Sequence, residues 1–317
     1  MSAVRPTIVD AERSPARATL PELIGLRAAG ESLNLAAIRV RVLADGGHLS
    51  PFKGRGVEYD ESRLYQPGDD LRTMDWRVTA RTGKPHTKVF RDERDRPVLI
   101  WLDLRRPMHF ATRGVFKSVR AAQAAALIGW SAIGNGDRLG GLVFSENEHV
   151  ELRPALGRRS ALRLFRSITQ DSMWNLSRSE ASDASDGRSD VEHTLSRLTR
   201  VARPGSLIFL MSDFRDVGEQ FEQNLRQLAG RCDVFVMHFF DPIEADLPPP
   251  GYYRIQSGKR TVSIDTDSET ARRRYSLQFE ERHELLRNLT RIPSVRLIDC
   301  ATTQDPRSAL AERFDNR

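Results

Sequence analysis

The sequence predicts an α/β fold built on a doubly wound, mostly parallel sheet, and three features carry that expectation. Two apolar runs, VLIWLDL at 98–104 and SLIFLMSDF at 206–214, have the length and the branched or aromatic content of strands buried on both faces. Each reaches a carboxylate, Asp103 in the first and Asp213 in the second. Each is followed by residues at helical spacing, as Phe116, Val119, Gln123, Leu127, Trp130 and Ile133 follow the first, which marks a helix packing back onto a sheet. In an open parallel sheet, ligands gather at the carboxyl ends of strands. Asp103, Arg105 and Arg106 are therefore the first candidates for function, and Asp213 with Asp216 three residues on is the second group.

Taken in order, residues 1–19 are rich in Ala, Arg and Pro and read as a flexible leader. Pro21 opens a short helix reaching Ser32, with Leu23, Ile24 and Leu26 as its apolar residues and Leu33 just beyond. Between His48 and Arg96, aromatics, arginines and carboxylates alternate with turn signals at Gln66-Pro67-Gly68-Asp69 and Thr82-Gly83-Lys84-Pro85. That pattern suits short extended pieces, so 20–97 is read as an N-terminal helix and β-rich subdomain or an extension of the sheet, and 98–317 as the α/β domain.

Inside the domain, Gly134-Asn135-Gly136-Asp137 announces a strand at 138–145, and 148–153 is its hairpin partner or an edge strand. A helix at 159–169 follows. Residues 171–189 are poor in apolar side chains and dense in Ser, Asp and Gly, which predicts a mobile loop. Val191, Leu195, Leu198 and Val201 form a helix stripe ahead of the 206–214 strand. A helix at 219–229 and a strand at 232–240 complete the next unit. A proline-rich connection then leads into a hairpin insertion at 247–265, a helix at 268–289, a strand at 295–300 and a last helix opening at Asp305-Pro306.

Composition narrows the class. The 317 residues give room for one large and one smaller domain. Lys and Arg number 49 against 43 Asp and Glu, a net charge of +6 spread over a mixed surface, so direct nucleic-acid binding is not expected. Cys232 and Cys300 each adjoin an apolar run and read as buried thiols rather than a disulfide. The N-terminus lacks a signal-peptide core, and no run approaches the about 18 apolar residues of a membrane span, so a cytoplasmic location is expected.

The segment GRGVEYDESRLYQPGDDLRTMDWRVTAR resembles the signature of the bacterial family filed as domain of unknown function 58, with its arginine, tyrosine, PGDD, arginine, DW and AR pattern. The matching positions are Arg63, Tyr65, Pro67, Gly68, Asp69, Asp70, Arg72, Asp75, Trp76 and Arg81. FKSVRAAQAAALIGWSAIGNGDRLGGLVF and LMSDF resemble the rest of the family's pattern, so the likeness runs from about Leu20 to Phe314. It implies a von Willebrand factor A-like domain and a partnership with MoxR-type AAA+ ATPases.

The resemblance also implies a test. Metal-binding von Willebrand A domains end their first strand in DxSxS, whose aspartate and serines hold a divalent ion. Here the aspartate is Asp103, but Arg105 and Pro107 stand at the serine positions, and Asp213 matches the second aspartate. Exchanging two hydroxyls for a guanidinium and a proline removes ligands and adds charge, so neither Mg²⁺ nor any other cofactor is expected; an ion, if held, would rest on Asp103 and Asp213. Arg105 or Arg106 would then grip a partner's carboxylate directly, unless Arg105 serves only to pair with Asp103 and Asp213.

The carboxylates Asp69, Asp70 and Asp75 are three acids within seven residues, but they read as turn formers neutralised by Arg72, Arg77 and Arg81 and anchored by Trp76. His86, Lys88 and Arg91 add a basic edge. The seven histidines show no HxxxH spacing, so zinc is not expected, and no GxSxG elbow or phosphate-binding loop is present. The expected function is a non-enzymatic interaction module, an adaptor or client-presenting partner of a MoxR-type ATPase, binding through Asp103, Arg105, Arg106, Asp213 and Asp216. The alternative is a nucleic-acid-binding or metal-dependent phosphodiester-cleaving protein using Asp69 to Asp75.

Overall fold

The computed structural model describes residues 14–33, 35, 57–66, 71–92, 97–146, 148–175, 187–215, 217–246, 249–257 and 260–314. Its contacts divide the chain into a small unit, Asp45–Asp95, and a large one made of Met1–Ala44 and Arg96–Arg317. Helices α1 (Leu20–Gly25) and α2 (Arg27–Glu31), which the sequence grouped with the small subdomain, belong to the large unit. Residues 14–19 are also tied down there, against the expectation of a loose leader: Ala18 is buried, and the Pro15 carbonyl accepts from the Phe116 amide at 2.8 Å. The rest of that leader, residues 1–13, lies outside the described residues.

In the small unit, β1 (Val57–Leu64) pairs antiparallel with β2 (His86–Asp92), with a register irregularity between Tyr59 and Glu61. Between them the chain forms α3 (Trp76–Thr82), where only extended pieces were expected. The reason is local. The Asp75 carboxylate accepts from the amides of Arg77 and Val78, both at 3.1 Å, and Gly83 closes the helix at φ 71°, a left-handed conformation suited to glycine.

The large unit is a six-stranded sheet in the order β10-β7-β6-β3-β4-β5. Its strands are β3 (Pro97–Asp103), β4 (Arg138–Phe144), β5 (His149–Ala155), β6 (Leu207–Ser212), β7 (Asp233–Phe240) and β10 (Val295–Ala301). All neighbours are parallel except β4 and β5, which form the expected hairpin. Successive residues of β3 face opposite sides. Val98, Ile100 and Leu102 pack with α4 (Lys117–Gly134) and α5 (Arg158–Gln170), while Leu99 and Trp101 pack with α6 (Gly187–Val201) and α7 (Glu219–Ala229). Burial on both faces accounts for the uninterrupted apolar runs. The short α8 (Pro242–Ala245), the hairpin β8 (Tyr252–Ser257) with β9 (Arg260–Asp265), and helices α9 (Glu269–Leu289) and α10 (Pro306–Phe314) complete the chain.

Helix α4 departs from its expected amphipathic form, because nearly every residue from Lys117 to Ala132 is buried. The sheet covers one side and α1 and α2 cover another: Trp130 Nε1 donates to the Leu23 carbonyl at 3.0 Å and Ser131 Oγ to the Leu33 carbonyl at 2.7 Å. A Cβ at Gly30 would stand 2.6 Å from Cβ of Trp130, so the approach of α2 requires glycine there. Of the loop expected at 171–189, residues 172–174 form a 3-10 turn with Met173 buried, 187–189 open α6, and 176–186 lie outside the described residues. Among the described residues no helix is long and apolar enough to cross a membrane.

Of the two adjacent glycines of β4, Gly141 is the more tightly packed, and a Cβ there would lie 2.1 Å from the Ile100 carbonyl oxygen. Gly141→Ala is expected to cost about 2 kcal/mol or more, whereas Gly25→Ala, at a helix position with open space around it, should be neutral or stabilising by about 0.5 kcal/mol. Urea unfolding of the two variants beside the parent checks both.

Candidate functional site

The chain leaves β3 toward β4 on one side and later returns to β6 on the other, so the carboxyl ends of β3 and β6 flank the point where strand order reverses. Crevices at such points are the usual ligand sites of open α/β sheets. Asp103 ends β3 and Asp213 follows β6, and the residue before Asp213 ties the two strand ends together: Ser212 Oγ donates to Asp103 Oδ2 at 2.7 Å. Ser212 Oγ in turn accepts from the Phe214 amide at 3.0 Å, and Phe214 takes φ 50°, rare for a residue with a side chain, as the chain turns out of the strand.

Both aspartates are fully buried and both are already neutralised. Arg105, 2% exposed, wraps back onto Asp103, its Nη2 at 2.8 Å from Oδ2 and its backbone amide at 2.9 Å from Oδ1. Asp213 lies 2.8 Å from Nζ of Lys117, which also reaches Glu244 Oε1 at 2.9 Å. Arg215 touches the same two acids, with Nε 3.0 Å from Asp213 and Nη2 on Glu244. Burial by itself would raise the Asp213 pKa, but Lys117 and then Arg215 outweigh it and hold the carboxyl at about 2. A second knot ties the loop before α4 to the ends of β7 and β10: Asp241 accepts from the Thr112 amide and hydroxyl at 2.8 and 2.6 Å and from the Thr302 hydroxyl at 2.7 Å.

Of the two roles expected of Arg105, the structure shows the internal pairing with Asp103. Arg105 pairs with Asp103 alone of the two aspartates, since Lys117 and Arg215 hold Asp213. Asp103 and Asp213 shape the edge from within. Arg106 is exposed on the 3-10 turn after β3, its amide donating to Glu146 Oε1 at 2.6 Å. Arg113 and Arg215 are also exposed on loops of this edge, Arg215 with its guanidinium turned onto Asp213 and Glu244. Asp216 lies outside the described residues. Lys117, Ser212, Arg215 and Glu244 were not anticipated; the available signal was a lysine at the head of a helix whose next turns are alanine-rich.

The donor set does not fit a hard dication, because cationic side chains occupy the positions an ion would need. In the small unit, the turn residues Pro67, Gly68, Asp69 and Asp70 lie outside the described residues. Asp75 is committed to capping α3 and to the Ser62 hydroxyl at 2.6 Å, and that hydroxyl first, then the Val78 amide, lowers its pKa. Arg63 Nη1 donates to the Leu64 carbonyl, the Tyr65 amide donates to the Pro85 carbonyl, and Arg72 sits in the 3-10 turn Leu71–Thr73. Arg81, in the last turn of α3, is exposed. Trp76 is 69% exposed, so it does not anchor the segment as expected.

Fold and site together define a mostly parallel α/β domain whose strand-end crevice is closed by internal ion pairs. The chain belongs to the family described as "Protein of unknown function DUF58", whose model matches residues 61–284. It is 32% identical over 225 residues to "Uncharacterized protein Rv1480" of Mycobacterium tuberculosis and to "Uncharacterized protein Mb1516" of Mycobacterium bovis, covering 69% of this chain and 68% of each relative. Among solved structures it is similar to an aerotolerance-related membrane protein from Bacteroides fragilis (13% identity, TM-score 0.40, 69% of this chain and 96% of that one). BatB from Bacteroides thetaiotaomicron is similar at 14% identity and TM-score 0.40, over 69% of this chain and 97% of that one.

Because the folded Asp213 pKa of about 2 lies below its ordinary 3.8, its contribution is complete above about pH 4 and is lost as pH falls toward 2, a change of about 2 kcal/mol. Lys117→Met should lower stability at neutral pH by about 3 kcal/mol or more and flatten this acid limb, as urea titrations across the pH range will show.

Proposed function

We propose that this protein is a non-enzymatic interaction module whose strand-end edge docks an acidic group of a partner. The observation that carries the reading is that both switch-point carboxylates are buried and neutralised internally, while the exposed arginines Arg106 and Arg113 stand on the surrounding loops. Guanidinium matches a carboxylate bidentately, so such an edge suits recognition of acidic side chains in the way a bound ion would in a metal-bearing domain. The acids Asp103, Asp213 and Glu244 each already face a cation.

The partner is a MoxR-type AAA+ ATPase, and the module presents a client to it. The family resemblance supports that choice, and so does the strand order, in which the first strand of the large unit is central and an antiparallel hairpin strand forms one edge, as expected of a von Willebrand A-like domain. Asp75, taken up by capping, is not free to join Asp69 and Asp70 in a metal set for phosphodiester cleavage.

The double variant Arg106→Glu/Arg113→Glu should reduce capture of the MoxR-type ATPase from the same genome about tenfold or more, chiefly at low salt. Arg77→Glu, on the exposed surface of the small unit, is the control. Biolayer interferometry at two ionic strengths measures this. Equal capture by all three proteins would reject the edge, and retention only on DNA with a steep salt slope would favour the nucleic-acid reading.

A further inference from the structure

Beyond the ion-paired crevice, three metal-ligating side chains converge at the β7–β10 side of the sheet. Asp299 of β10 stands in register beside His238 of β7, so the two side chains share a face, and α9 lays His283 across them. His238 Nδ1 is 3.0 Å from Asp299 Oδ1, and His283 Nε2 is 3.0 Å from Asp299 Oδ2. All three donors lie within 4.8 Å of one another. They come from positions 61 and 16 residues away from Asp299, which is why spacing along the chain did not reveal them.

We propose that His238, His283 and Asp299 form a binding site for a divalent transition-metal ion of the zinc class, with a fourth position open to solvent. Two imidazole nitrogens and a carboxylate oxygen suit zinc and its neighbours rather than magnesium or calcium. Bonds of about 2.0–2.1 Å to a tetrahedral ion place donors about 3.3 Å apart; here the two His–Asp contacts of 3.0 Å go to different oxygens of Asp299 and all three donors lie within 4.8 Å, so small side-chain rotations bring them onto one ion. The site is graded in exposure: His238 is fully buried, the His283 side chain is 19% exposed and that of Asp299 40%, leaving an entry path on one side. Both imidazoles are held by aromatic neighbours, His238 stacked on Phe240 at 5.4 Å and His283 on Phe279 at 5.9 Å.

The hydrogen bonding of His238 accommodates such an ion. Among the described residues His238 Nε2 is buried with no hydrogen-bond partner, so the ring's polar engagement is toward Asp299. Without an ion, Nδ1 carries the proton, donates it to Asp299 and leaves the Nε2 lone pair unpaired. With an ion on Nδ1 the proton sits on Nε2, also unpaired. Binding therefore adds no further unsatisfied group. The ion would clamp α9 to the two strands, on the helix whose Arg282 acts electrostatically on Asp213.

The test is calorimetric titration of the chelator-treated full chain with Zn²⁺, alongside His283→Ala and Asp299→Asn. Expected are one equivalent bound by the parent and affinity about tenfold or more weaker in each variant. A control with His149 and His193 both changed to Ala should bind as the parent does, and circular dichroism should show every variant folded. Co²⁺ supplies an independent readout, its visible absorption in the parent marking a tetrahedral site and fading in the variants. Parent-like binding by both variants, or no saturable binding by the parent, would overturn the assignment.

Discussion

Charge compensation without water is the constraint on which the strand-end edge depends. Five ionised side chains, Asp103, Arg105, Lys117, Asp213 and Glu244, are almost wholly removed from solvent at the carboxyl ends of β3 and β6. Each has a partner of opposite sign within hydrogen-bond reach. An isolated buried charge costs several kcal/mol, so removing one partner strands the rest, and the network holds only as a set. Ser212 adds a neutral link, joining Asp103 to the turn at Phe214.

Much of the fold was legible because its strands are buried on both faces and write uninterrupted apolar runs, with Gly-rich or proline-rich breaks between them. Asp103 and Asp213 stood out for the same reason, as charges at the ends of such runs. Their compensating groups did not. Lys117 lies 96 residues from Asp213 and 127 from Glu244 in sequence, and a lysine in the first turn of a helix ordinarily reads as solvated. The arginine at position 105 was legible as a candidate, but only its burial decides between a partner contact and an internal pair.

The other departures have separate causes, tertiary cover in one and local capping in another. Helix α4 looks one-sided until α1 and α2 are laid over it. The turn-rich stretch before β2 holds a helix because an aspartate cap and a left-handed glycine bracket seven residues. Trp76, large and apolar, was placed inside by its chemistry and lies outside.

The run of alanines in α4 carries a mechanical implication. With Gly30 against Trp130 on one flank and the sheet on another, the helix is wedged in a slot cut to the width of methyl groups. Its first residue is Lys117, whose ammonium meets Asp213 at 2.8 Å. Sliding the rod by a single residue, about 1.5 Å along its axis, would pull that contact apart. Packing deep in the interior thus sets the position of a charge at the distant lip of the sheet, and the two cannot drift independently.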